Sequence, residues 1–174
     1  MFKSIAIVVL ILIGAILIYA ATKPDTFRVQ RSASINAPAE KIFPFINDFR
    51  KWVDWSPWEK IDPELKRSFG GAASGQGAVY EWEGEKVGKR RMEIAKISPP
   101  TNIVIDLDFL KPFEAHNIAE FTLEPGGNST TVTWAMYGPN PYFAKVMHIF
   151  FSMDHMVGTQ FETGLANLKT IAER

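Results

Sequence analysis

Few side chains in this sequence could move a proton or hold a metal. They are His116, His148 and His155, with Asp106, Asp108 and Asp154 close to them along the chain. On one continuous helix His148 and His155 lie two turns apart on one face, too distant to chelate a single ion. No His-Glu-x-x-His spacing, no Gly-x-Ser-x-Gly elbow and no glycine loop ending in Lys-Ser/Thr occurs. No metal and no cofactor are therefore expected. The absence of cysteine excludes a thiol nucleophile, a thiolate zinc site and a disulfide scaffold. Asp106 and Asp108 share one strand face, about 7 Å apart, a separation that could serve acid–base work. A solvated face opposite Ile105 and Leu107 is the simpler reading. His116 and Asp106 stand as weak catalytic candidates, with no convincing catalytic set around them.

Positioning is the task of the surrounding elements. Residues 4–22 carry no charge, and their centre is a run of Ile, Val and Leu broken only by Gly14 and Ala15. A helix of that length, about 28 Å, crosses a hydrocarbon core. A cleaved signal peptide is the rival reading, with Lys3 before the apolar run and Ala20-Ala21 after it. The run is long for that role, and Ile18 is a poor small residue for cleavage. Residues 1–22 are thus expected to be a single-pass anchor, in the inner or cytoplasmic membrane if the source is bacterial. Lys3 on one side and Lys23, Arg28 and Arg31 on the other leave the orientation open. A linker, 23–26, leads to a body, 27–174.

The body begins with a period of two through Phe27, Val29, Ala33 and Ile35, which marks a half-buried strand with Arg31 as the exception on its apolar face. Asn36 can cap a short helix through Phe43 and Ile46, which Pro44 should end or kink. Trp52, Trp55 and Trp58 then recur every three residues, as in a 3₁₀ turn. Further strands follow around Tyr80 and Trp82, Met92 and Ile94, Ile103 to Phe109, Ala119 to Leu123, and Val132 to Met136. Pro125-Gly126-Gly127-Asn128 is a hairpin turn, and Asn128-Ser129-Thr130 fits both a glycosylation sequon and a bare turn. After Pro141 the pattern is helical, with Met153, Val157, Phe161, Leu165, Leu168 and Ile171 in one stripe. Gly158 and Gly164 within it imply a close approach to the backbone. Lys86, Lys89, Arg90 and Arg91 surround one hairpin, read as a solvated turn or, more sharply, as a contact for anionic headgroups. Charge is balanced at 19 basic and 19 acidic residues, which argues against nucleic acid as a partner.

Several stretches carry a resemblance: Arg31-Ser32-Ala33-Ser34-Ile35-Asn36-Ala37-Pro38-Ala39-Glu40, Trp52-Val53-Asp54-Trp55-Ser56-Pro57-Trp58, Gly77-Ala78-Val79-Tyr80-Glu81-Trp82, Thr131-Val132-Thr133-Trp134, and the helix from Met156 to Lys169. Together, over about residues 27 to 172, the chain resembles the SRPBCC superfamily, the START or birch-pollen-allergen fold, of the polyketide cyclase/dehydrase and lipid transport type. The resemblance implies an α+β helix-grip fold, with a curved antiparallel sheet of six or seven strands wrapped on the long C-terminal helix. It also implies an apolar cavity between them, its mouth near the short helices. Trp55, Trp58, Tyr80 and Trp82 are expected to line that cavity with Ile105, Leu107, Ala119 and Phe121. Trp134, Met136, Val157, Phe161 and Leu165 complete the set. The expected function is a membrane-anchored, monomeric binding domain for a small lipid-like or polyketide-like ligand. A cyclase or dehydratase using the same cavity is the alternative, and a closed-core interaction domain is a third reading.

Overall fold

Seven stretches with alternating apolar residues pair edge to edge into one antiparallel sheet. The computed structural model describes residues 2–62 and 64–174. The strands are β1 (Thr26–Ile35), β2 (Lys66–Gly71), β3 (Ala78–Gly84), β4 (Gly88–Ser98), β5 (Asn102–Lys111), β6 (Ala115–Gly126) and β7 (Ser129–Pro139). Their order across the sheet is β1-β7-β6-β5-β4-β3-β2. Strands β2 to β7 follow one another through turns, whereas β1 joins at the β7 edge. The chain must therefore cross the sheet between β1 and β2. It does so as the helix α2 (Ala39–Asn47) and two 3₁₀ turns, Phe49–Asp54 and Pro57–Lys60. The helices α1 (Phe2–Ala21), α3 (Tyr142–Phe150) and α4 (Met153–Ala172) complete the fold. This is the α+β architecture expected, with α4 lying across the sheet.

One face of the sheet is apolar. Val29, Tyr80, Trp82, Met92, Ile105, Ala119, Phe121 and Trp134 are all buried on it. The crossing segment closes one end of this face with aromatic rings. Trp52 and Trp55 lie 4.8 Å apart, and Trp55 meets Trp134 edge to face at 5.5 Å. Phe121 stacks on Trp134 at 4.9 Å. Burying an indole is cheap only if its N–H is satisfied. Trp52 Nε1 donates to the Ile46 carbonyl at 2.9 Å, and Trp55 Nε1 donates to the Phe45 carbonyl at 3.0 Å.

Some local expectations change. Pro38, not Asn36, occupies the N-cap of α2, and the Asn36 N–H instead donates to Glu173 at 2.6 Å. Pro44 lies inside α2, which ends at Asn47. The C-terminal helical stretch is two helices rather than one, parted at Phe151-Ser152. Ser152 caps α4 by accepting from the His155 N–H at 3.1 Å. His148 and His155 therefore sit on different helices and do not share a face. Arg31, the polar exception on β1, reaches α4 and pairs with Asp154 at 2.9 Å and Glu162 at 2.6 Å.

Candidate functional site

The aromatic wedge fills only part of the space between sheet and α4. Beyond Trp134, whose ring stacks on Phe161 at 4.2 Å, the sheet and α4 separate around a cavity of about 1210 Å³. Small-molecule sites usually measure about 300–1,000 Å³, so this one can hold a bulky or long ligand. Strands β3 to β7 supply its floor through Tyr80, Trp82, Met92, Leu107, Ala119 and Met136. The N-terminal half of α4 supplies Val157 and Phe161, and α3 supplies Phe143, Met147 and His148.

Nine of the expected cavity residues face this space: Trp58, Tyr80, Trp82, Leu107, Ala119, Trp134, Met136, Val157 and Phe161. Trp55, Ile105, Phe121 and Leu165 do not. They are fully buried within the closed core, because the crossing segment packs its indoles against that end of the sheet. The tryptophan triplet divides accordingly, with Trp55 in the core, Trp58 on the cavity and Trp52 touching both. The mouth also departs from expectation. Lining residues contributed by the short turns, Ser56 and Glu59, are buried, whereas the exposed ones belong elsewhere. The large apolar ones are Phe113 in the β5–β6 turn, Phe143 and Met147 on α3, then Phe151 and Met156. Phe113 and Phe143 face each other across this rim with ring centroids 6.3 Å apart.

Neither weak catalytic candidate reaches the cavity. His116 and Asp106 alternate onto the outer face of the sheet, opposite to Asn117 and Leu107. There His116 Nδ1 lies 2.7 Å from Asp108 Oδ1, an exposed pair. No group of His, Asp or Glu side chains able to hold a metal comes together among the described residues.

Several polar groups border the cavity, and of these only Tyr80 belongs to the set expected there. Glu59 is buried, accepting from the Tyr80 hydroxyl at 2.5 Å and from Arg67 Nε at 2.6 Å. Burial, and next the Glu59 carboxylate, push the Tyr80 phenol well above its ordinary value. Burial alone pushes the His148 imidazole below its ordinary 6.5. Arg90 does not share the solvated hairpin surface with its neighbours; it falls in phase with Met92 and Ile94 on the inner face. That alternation was the available signal. Nothing local announces Glu59, because its partner Tyr80 is brought to it by the crossing of the chain.

Structures similar in fold are plentiful and distant in sequence. A protein of Chromobacterium violaceum, CV1439, is 16% identical with a TM-score of 0.60, covering 87% of this chain and 99% of that one. DynU16, from the dynemicin biosynthetic locus, is 18% identical with a TM-score of 0.61, covering 87% of this chain and 48% of its own. The di-domain ARO/CYC BexL from the BE-7585A biosynthetic pathway is 15% identical with a TM-score of 0.63, covering 90% of this chain and 53% of its own. This chain thus spans about half of DynU16 and of BexL. Among curated proteins none matches it by sequence. At such identities the structural likeness establishes the fold. The sequence profile of one family, however, matches residues 26–173, nearly the whole body, and the chain belongs to that family: polyketide cyclase/dehydrase and lipid transport.

Proposed function

We propose that this chain is a membrane-tethered carrier that holds one small apolar ligand between its sheet and α4. In this reading residues 1–22 are a retained single-pass anchor, residues 23–26 a short tether, and residues 27–174 a monomeric binding body. The observation that carries it is the cavity itself, apolar on its floor and rimmed by exposed Phe113, Phe143, Phe151 and Met156. Exposed apolar surface of this kind is costly in water and is typical of lipid or ligand contact.

Two contacts support retention of the anchor. Ala20 is fully buried, and the Tyr142 hydroxyl donates to the Leu17 carbonyl at 2.8 Å, so α1 packs on α3. A helix bound for removal has no need of such packing. Because α3 also borders the cavity, the mouth and the membrane-spanning helix share one side of the molecule, and ligand could pass from the bilayer without crossing water. Gentle purification of the full chain followed by native mass spectrometry tests the carrier reading. A co-purifying apolar molecule is the expected result. A bare protein that also takes up no apolar fluorescent probe would refute it.

A second reading, cyclase or dehydratase chemistry, is favoured by the buried Glu59–Tyr80 pair on the cavity wall. A carboxyl group within reach of a bound substrate could take or give a proton. Glu59→Gln separates the two: a carrier keeps its ligand, whereas an enzyme would accumulate unconverted substrate in the cavity.

A further inference from the structure

Two adjacent arginines on β4 are treated in opposite ways. Arg91 points to the outer face, where Glu93 lies at 2.5 Å, Glu81 at 3.5 Å and Asp108 at 3.8 Å. Arg90 points inward. Its register partners are Trp82 on β3 and Phe109 on β5, both of which line the cavity with it. No carboxylate pairs with Arg90 among the described residues. Its guanidinium stacks on Phe109 at 4.7 Å and donates a single side-chain hydrogen bond, to the Val87 carbonyl.

A guanidinium has five N–H donors and does not deprotonate in a protein. Arg90 is half-buried; a ring face and one carbonyl do not restore the solvation it has lost, and desolvation accordingly lowers its pKa. The other charged groups on the cavity wall do not relieve it. Lys111 is held by Glu83 at 2.9 Å, Glu59 is engaged by Arg67 and Tyr80, and Glu114 stands exposed at the rim. The cavity therefore presents an apolar floor and one cation whose donors are mostly unused.

We propose that Arg90 is the headgroup contact of the cavity, and that its ligand is an anionic amphiphile: an apolar body carrying one acidic group, a carboxylate or a phosphate monoester. The proposal rests on the carrier reading above and narrows it. The apolar body lies against Trp82, Met92 and Met136, and the acid meets Arg90 in a forked, charge-assisted pair. A neutral ester of the same shape offers the guanidinium only an ordinary carbonyl acceptor, a weaker contact than the forked ionic pair.

The test compares cis-parinaric acid with its methyl ester on the full chain in detergent, by probe fluorescence. The wild type is expected to bind the acid about tenfold or more tightly than the ester, the usual range for one charge-assisted pair. Arg90→Gln should lose that preference while still binding the ester, which also reports that the cavity is intact. Arg90→Lys, which keeps the charge but not the fork, should retain part of the preference. Displacement by hexadecanoate and by hexadecyl phosphate then ranks the two acidic groups. Equal binding of acid and ester by the wild type, or a preference that survives in Arg90→Gln, would overturn the assignment while leaving the carrier reading standing. If neither probe binds the wild type, the carrier reading fails and the headgroup assignment falls with it.

Discussion

Gly158 and Gly164 both let α4 lie close to the sheet, but against different neighbours. A Cβ at Gly164 would come within 2.7 Å of Trp134 Cζ3 and 3.1 Å of Pro57 Cδ, both buried and tightly packed. Gly164→Ala is expected to cost about 1–3 kcal/mol, as overpacking does, in a urea titration. A Cβ at Gly158 would instead run into the Arg31 guanidinium, the far end of a flexible side chain. Moving it disturbs only surface ion pairs to exposed Asp154 and Glu162, which hold little stability, while the helix gains about 1 kcal/mol from alanine. Gly158→Ala should therefore be close to neutral. His148 gives a pH test. Burial lowers its folded-state pKa below 6.5, so the unfolded chain binds that proton more readily. This contribution is complete above pH 6.5 and is lost as pH falls through the depressed folded value. The melting temperature should therefore fall as pH drops below about 6.5, the unfolded value. The drop should be smaller in His148→Gln, in a window above that of the carboxylates Asp154 and Glu173, which are themselves held low. The spacing of both glycines was legible in the sequence. What each one touches was not, because Trp134 and Arg31 arrive from distant strands.

Helix α3 is the element whose role sequence periodicity conceals most. Its apolar character is plain, but its separation from α4 rests on Ser152 and the acidic Asp154 in the next turn, a start signal set inside an apolar run. Once parted from α4, α3 has two uses. Lys145 is buried against Asp25 at 2.6 Å, which fixes the helix to the start of β1. Tyr142, Phe143, Met147 and Phe150 are left exposed. Aromatic side chains beside a membrane-spanning helix favour the headgroup region. On the anchor reading proposed above, α3 and the Phe113 turn are expected to sit at that depth. The chain has no cysteine, so single cysteines can be introduced at Phe113, Phe143 and Phe151 and labelled with an environment-sensitive dye. In nanodiscs these sites should shift to the blue and be quenched by spin-labelled lipid. A label at exposed Glu124, near the opposite end of the sheet, should do neither. Equal behaviour at all four sites would detach the mouth from the bilayer.

At the scale of the whole molecule, the sheet is half packed and half empty. The family resemblance supplied the architecture, and strand alternation supplied the inner face. Neither could locate the line along that face where packing stops, since Ile105 and Leu107 alternate identically yet fall on opposite sides of it. That line is set by how far the Trp52–Trp55 segment reaches across, a property of the chain crossing and not of any strand. The division makes opposite substitutions informative. Ala119 is buried, lines the cavity and stands between Ile105 and Met136 in the register. Ala119→Leu places an isobutyl group where a methyl was. In a filled core this would cost about 1–3 kcal/mol, whereas in open space the added group gains apolar contact and displaces ligand. Phe161 works the other way. It borders the cavity on one side and stacks on Trp134 on the other, so its truncation should cost less than the roughly 3–5 kcal/mol of a phenylalanine packed all round. We therefore expect Ala119→Leu to hold the wild-type melting temperature and lose uptake of an apolar probe. Phe161→Ala should be modestly destabilised and still take the probe up. Unfolding of Ala119→Leu, with no probe uptake by the parent, would mean that sheet and helix close on each other in solution and that the domain carries nothing.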